Sequence, residues 1–255
     1  MRFASLGSGS RGNATIISHG KTTLLVDCGF SARETEKRLQ RFNLDASDLS
    51  AIVVTHEHAD HINGVRVLAR KYDLPVYATP GTAACLPEDV STLINEFSCH
   101  ESFSIADIAV EPFPVPHDAR EPSQFVFSDG KHRIGLLTDV GISTPIIEQS
   151  LTLCDALLLE ANHDMTMLDN SEYPDHLKYR VSGRQGHLNN VQSAKLLEKI
   201  DTSRLQHIVA MHLSEKNNSP NIVAPLFAEA LNCEQSWIGL AEQDTGFGWR
   251  EITNR

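Results

Sequence analysis

Behind a short β-branched run at 52–55 the chain reads Thr55-His56-Glu57-His58-Ala59-Asp60-His61, and a helix-like pattern follows. Three imidazoles and the Asp60 carboxylate fall within six residues, a density of borderline and hard ligands for which a solvated turn has no use. His56 and His58 are two apart, so an extended turn projects both the same way. Asp60 and His61 then stand at the start of the helix. One loop thereby presents two ligand sets a few ångströms apart, as a dinuclear site requires. A strand must deliver this loop and a helix must leave it, which commits the chain to a mixed α/β fold.

The remaining pattern agrees. In the first third, strand-like runs at 14–18, 22–27, 52–55 and 76–78 alternate with helix-like stretches at 31–42 and 60–72, where Ile62, Val65 and Leu68 share one face. The middle is strand-rich at 111–115, 124–128 and 132–138, with Asp129-Gly130 as a hairpin turn. Alternation then resumes with a strand at 156–160, a helix at 189–200, a strand at 207–210 and a helix at 220–231. No linker, low-complexity tract or fixed-period repeat interrupts this order. A single domain over 1–255 is expected.

Twelve histidines stand beside 22 Lys and Arg and 33 Asp and Glu, for a net charge of −11. Such acidity argues against broad attachment to nucleic acid or membrane through a basic face, although bound cations alter a local field. No window approaches about 18 consecutive apolar residues, and Met1-Arg2-Phe3-Ala4-Ser5 lacks a secretory pattern. Five scattered cysteines without a CxxC pair fit reduced thiols. A cytoplasmic protein with no membrane partner is expected.

The loop at 56–61 resembles the metal motif of the metallo-β-lactamase superfamily, and later segments follow that family's pattern in order. Asp27, after Leu24-Leu25-Val26, matches an aspartate that braces the histidine loop. His117, in Val115-Pro116-His117-Asp118-Ala119, matches a third metal histidine. Asp139, closing a strand, matches a carboxylate that bridges two metals, and His212 matches the final histidine. The resemblance implies a four-layer αβ/βα sandwich holding two divalent ions, with zinc, manganese and iron all suited to such ligands. It assigns one ion to His56, His58 and His117 and the other to Asp60, His61 and His212, with Asp139 spanning both.

More narrowly, the chain is similar to the YycJ/WalJ (VicX) branch over nearly its full length. The similarity is carried by Leu6-Gly7-Ser8-Gly9-Ser10-Arg11-Gly12-Asn13-Ala14, Pro116-His117-Asp118-Ala119-Arg120-Glu121-Pro122, Glu160-Ala161-Asn162-His163-Asp164, Gly186-His187-Leu188-Asn189-Asn190 and His212-Leu213-Ser214-Glu215-Lys216-Asn217-Asn218. That branch implies a nuclease acting on DNA, a 5′→3′ exonuclease linked to mismatch-repair proteins. The corresponding chemistry is attack by a metal-bridging hydroxide, with Asp60 both ligating and orienting it. By the same resemblance His187 is the acid for the leaving group and Glu160 the carboxylate that tunes it.

Substrate contacts are read from local charge. The stretch 177–186 reads as a loop carrying Lys178, Arg180 and Arg184, no acidic residue, and a tyrosine, Tyr179, able to stack on a base. Ser8, Ser10 and Asn13 offer further donors to a phosphate. A second reading, a metallohydrolase of a small carbonyl ester such as a lactone, thioester or β-lactam, uses the same ligands but depends less on a separate acid. His163 stays open between metal ligand, substrate contact and buried hydrogen bond. His19, His100, His132, His176 and His207 lack ligand spacing.

Overall fold

The computed structural model describes residues 1–254. In chain order the strands are β1 (Arg2–Gly7), β2 (Ala14–His19), β3 (Thr22–Val26), β4 (Ala51–Val53), β5 (Val76–Ala78), β6 (Ile94–Glu96), β7 (Phe103–Ile105), β8 (Ile108–Pro114), β9 (Ser123–Ser128), β10 (Arg133–Leu137), β11 (Ala156–Glu160), β12 (His207–Met211), β13 (Gly239–Leu240) and β14 (Phe247–Glu251). The helices are α1 (Ala32–Gln40), α2 (Ala59–Ile62), α3 (Val65–Tyr72), α4 (Pro80–Ala83), α5 (Pro145–Leu151), α6 (Met165–Asp169), α7 (Asp175–Ser182), α8 (Asn190–Lys199) and α9 (Pro220–Leu231). They build two seven-stranded sheets, ordered β14-β1-β2-β3-β4-β5-β6 and β13-β12-β11-β10-β9-β8-β7. In each sheet one half is antiparallel and the other, β3 to β6 or β10 to β13, is parallel.

Period-two alternation decides which layer each strand residue joins. Leu24 and Val26 of β3 meet Leu136 of β10, Leu158 of β11 and Val209 of β12 in one core between the sheets. Leu25 points the opposite way, onto a second core with Leu39 of α1 and Val65 and Leu68 of α3. On the far side Leu157, Leu159 and Ile208 pack with Ile147 of α5, Leu196 of α8 and Phe227 of α9. Three apolar interlayers among helix, sheet, sheet and helix make the expected αβ/βα sandwich.

Two elements differ from the sequence expectation. The single helix expected at 60–72 is split into α2 and α3, because its hydrogen-bond ladder is diverted. Asp60 O accepts from Asn13 N at 2.8 Å, and Gly64 N donates to Cys28 O at 2.7 Å. A Cβ at Gly64 would fall 2.2 Å from Phe30 O, so the close approach there requires glycine. The second difference is the basic stretch at 177–186, which is not a loop: residues up to Ser182 belong to α7, whose first turn carries Asp175 after Pro174. α7 fully buries none of its residues, so it shows only a weak apolar stripe by which to read it. The edge strands β6, β7 and β13 are only two or three residues long, and the fourth edge strand, β14, pairs with β1 from the other end of the chain.

The turn after β3 is laced to the histidine loop. Cys28 N donates to His61 O at 2.8 Å and Gly29 N to Asn13 O at 2.9 Å. A Cβ on Gly29 would lie 1.7 Å from Asp60 O, a backbone atom that cannot step aside cheaply. Gly29→Ala is therefore expected to cost at least about 1–3 kcal/mol of unfolding free energy in urea titration. An unchanged midpoint would show that the turn can open without loss.

Candidate metal centre

The carboxyl ends of the parallel strands supply most of the centre, the usual place for a site in an α/β sheet. Asp27 follows β3, the histidine loop follows β4, Asp139 follows β10, Glu160 ends β11 and His212 follows β12. His117 lies in the connection between β8 and β9, and His187 stands just ahead of α8. Asp27, Asp139 and His212 have φ of 61, 55 and 54°, the left-handed region that side chains seldom occupy. At each of these positions the chain turns sharply off a strand end.

Hydrogen bonds on the outer ring nitrogens fix five histidine tautomers. His56 Nδ1 donates to Thr55 Oγ1 (3.0 Å), His58 Nε2 to Asp118 O (3.2 Å), His61 Nδ1 to Asp27 Oδ2 (2.8 Å), His117 Nδ1 to Gly186 O (3.0 Å) and His212 Nδ1 to Glu160 Oε1 (3.4 Å). In its neutral form each ring then presents an inner nitrogen with a lone pair, the arrangement by which proteins orient imidazole ligands. His58 Nδ1 lies 3.0 Å from His56 Nε2 and 3.2 Å from His117 Nε2. Three lone pairs at such distances repel unless a cation sits among them. Burial pushes His56 and His117 below the ordinary histidine range, towards the neutral ligand form.

A second group gathers beside the first. His61 Nε2 lies 3.4 Å from Asp60 Oδ2 and 3.2 Å from Asp139 Oδ2, and His212 Nε2 lies 3.6 Å from Asp60 Oδ2. Asp139 Oδ2 and His212 Nε2 are buried with no hydrogen-bond partner, a costly arrangement for polar atoms unless something else satisfies them. Burial alone would raise Asp139, but His212 and His61 beside it hold its carboxyl well below the usual range. Burial alone would lower His61, and the Asp139, Asp27 and Asp60 carboxylates more than reverse that. His56, His58 and His117 could hold one ion, and Asp60, His61 and His212 another, each set with donor atoms within 4.8 Å of one another. Nitrogen and carboxylate donors in this number suit a divalent cation.

Asp27 is the brace behind the loop. It is buried, accepts from Thr55 N at 2.9 Å and Thr55 Oγ1 at 2.9 Å, and receives His61 Nδ1. Thr55 thus links Asp27 to His56, a role that reading the loop for ligands alone does not pick out, although Thr55 opens the motif. Asp27→Ala is expected to weaken affinity for a divalent ion about 10–100-fold, as loss of a ligand's partner usually does. Calorimetric titration with zinc or manganese measures this, and unchanged affinity would show that His61 is held without Asp27.

Glu160 is fully buried and anchors a different histidine. Its oxygens accept from Asp139 N (3.0 Å), Val140 N (3.1 Å), Leu188 N (3.0 Å) and His187 Nδ1 (2.9 Å). The His187 side chain is 20% exposed and lines the cleft with His58, Asp60, Asp139 and His212. Burial pulls its pKa down, but the Glu160 carboxylate, together with Asp139 and Asp60, more than offsets this and carries it up to about 9.

Other expected contacts fall out differently. Ser8 and Asn13 are buried, and their polar groups serve the fold. Ser8 Oγ donates to Asn13 Oδ1 and accepts from His212 N at 2.9 Å, while Asn13 Nδ2 reaches Gly9 O, Asp60 Oδ2 and His61 Nε2 at 3.2–3.3 Å. They buttress the centre from behind, and the donors expected there for a phosphate are engaged within the fold. Ser10 lines the cleft. Lys178 donates to Asp169 O at 2.6 Å and lines neither the cleft nor the cavity beside it. Arg180 Nε donates to Asp118 Oδ2 at 2.6 Å, and Arg184 lines the neighbouring cavity. His163 is buried with Nδ1 on Asn162 Oδ1 at 3.2 Å and belongs to none of the ligand groups among the described residues.

Residues 22–212 match the model of the β-lactamase superfamily domain. Over 246 residues the chain is 35% identical to the exodeoxyribonuclease YycJ of Bacillus anthracis, covering 95% of this chain and 92% of that one. It is 35% identical over 223 residues to the exodeoxyribonuclease WalJ of Streptococcus pneumoniae, covering 85% and 83%. Among solved structures, the metallo-β-lactamase fold protein YhfI from Bacillus subtilis superposes with a TM-score of 0.73 at 15% identity, over 98% of this chain and 99% of that one.

Proposed function

The chain belongs to the metallo-β-lactamase superfamily and, within it, to the YycJ/WalJ family, and from this premise we propose that it is a metal-dependent phosphodiesterase that degrades DNA as a 5′→3′ exonuclease. The observation that carries the reading is His187, held by buried Glu160 and lining the cleft beside the histidine centre. His56, His58 and His117 would hold one divalent ion and Asp60, His61 and His212 the other, with Asp139 shared. Bound there, such ions polarise a phosphodiester and acidify water. Asp60 would orient the attacking water. His187, protonated at Nε2 and fixed through Nδ1, would hand its proton to the departing sugar oxygen. An alkoxide leaving group needs that proton, whereas hydrolysis of a small carbonyl ester depends on it less. The Glu160–His187 pair therefore supports the phosphodiester over the lactone, thioester or β-lactam. The nuclease names of the two relatives support the same choice.

The test is digestion of end-labelled single- and double-stranded DNA by protein loaded with zinc, manganese or iron, beside bis-p-nitrophenyl phosphate and a lactone. Stepwise shortening from the 5′ end is the expected result. Hydrolysis of the lactone with no cleavage of either phosphodiester under any metal would overturn the proposal.

A further inference from the structure

Next to the centre the surface opens into a cavity of about 760 Å³, walled by Pro116, Ile142, Tyr179, Arg180 and Arg184. It is continuous with the cleft, since Asp118, Arg180 and Gly186 line both. Its floor is the turn that delivers His187, and this turn is pinned on every side. Gly186 N donates to Gly183 O (2.9 Å), His187 N to Val181 O (2.8 Å), Asp118 N to Gln185 O (3.0 Å) and Gly141 N to Pro116 O (2.8 Å). Main chains touch here: a Cβ on Gly186 would lie 2.1 Å from Arg180 O, and one on Gly141 would lie 2.3 Å from Arg184 O. The main chain of this wall is thus closely held beside the acid, while Tyr179, Arg180 and Arg184 project from it toward solvent.

Its chemistry is mixed in a particular way. Tyr179, on α7, is 78% exposed, and Pro116 and Ile142 give the wall an apolar face. The Arg180 guanidinium uses one of its five N–H groups on Asp118 and keeps the others for an anion. A chain of net charge −11 offers no broad attraction to a polyanion; here Asp118 offsets the charge of Arg180, and Arg184 supplies the local positive excess.

Resting on the phosphodiesterase reading above, we propose that this cavity holds the nucleotide next to the scissile phosphate of a single-stranded DNA end, its base stacked on Tyr179 and its phosphate on Arg180 and Arg184. Inside a duplex both faces of a base are covered by its neighbours, and even the terminal pair frees only one, so a ring that must reach a base beyond the end favours the unpaired strand.

The test measures binding apart from turnover. A 3′-fluorescein oligothymidylate with phosphorothioate linkages is titrated by anisotropy against wild type, Tyr179→Ala, Tyr179→Phe and Arg184→Ala, with unlabelled duplex as competitor. Tyr179→Ala is expected to weaken binding about tenfold. Tyr179→Phe, which keeps the ring, should bind like wild type, Arg184→Ala should bind more weakly in a salt-dependent way, and duplex should compete poorly. An oligonucleotide lacking one base near its cleaved end should bind wild type and Tyr179→Ala alike at the position that occupies the cavity. Equal binding of the intact strand by wild type and Tyr179→Ala, absence of binding by wild type, or duplex competing as well as single strand would each overturn the proposal. Tyr179-dependent binding without hydrolysis would sink the phosphodiesterase reading alone, and hydrolysis indifferent to Tyr179 would sink the nucleotide cavity alone.

Discussion

Asp139→Asn is expected to lower phosphodiester hydrolysis about 10³-fold, roughly 4 kcal/mol of barrier, while the protein stays folded. The side chain is buried and reaches toward both histidine groups, with Oδ2 3.2 Å from His61 Nε2 and Oδ1 4.0 Å from His117 Nε2. Asparagine keeps that shape and tolerates the left-handed backbone at this position. It loses the negative charge, and its amide group turns N–H donors toward nitrogens that should face a cation. The loss should exceed the roughly 10–100-fold typical when only a ligand's partner is removed. Metal content by mass spectrometry, kcat and thermal midpoint together check this. Wild-type activity with full metal content would remove Asp139 from the centre.

His187→Ala should act on a different quantity. Removal of a positioned acid typically costs about 10²–10⁴-fold in rate. That cost should fall on DNA, whose departing sugar oxygen needs a proton, and far less on bis-p-nitrophenyl phosphate, whose leaving group departs as a stable anion. Metal affinity should hold, because His187 lies outside both proposed ligand sets. Glu160→Gln should cost at least as much and lower the thermal midpoint as well, since it removes the charge that holds His187 protonated and sets an amide NH₂ against the N–H donors that both Glu160 oxygens accept from. Equal losses on both substrates would mean that His187 organises the cleft and donates no proton.

How much of this was legible beforehand depends on sequence separation. The loop at 56–61 was readable because its ligands are adjacent, and the alternating runs announced β3, β10, β11 and β12. His117, Asp139 and His212 carry no local signal of their own. Each is a single polar residue after an apolar run, and only the family pattern marked them. The part Ser8 and Asn13 play behind the centre was not legible, because a glycine-rich turn with hydroxyls looks alike whether it faces a phosphate or the back of a histidine. The split between α2 and α3 was hidden, since it depends on Asn13 and Cys28, residues remote in sequence that take over the Asp60 and Gly64 backbone groups. α7 was hidden because it has no fully buried face: Leu177 and Val181 are only partly covered, too weak a stripe to announce a helix.

The left-handed backbone at Asp139 and His212 sets the chain's stability against its chemistry. Glycine takes such a conformation without the penalty a side chain incurs there, and it would also delete two buried polar atoms that have no partner. Directed evolution for heat resistance, scored on folding alone and without added metal, would therefore not protect Asp139 and His212, and survivors that lost them would be folded and inert. Engineering of this scaffold for durability has to keep those two positions out of the library, or score activity in every round.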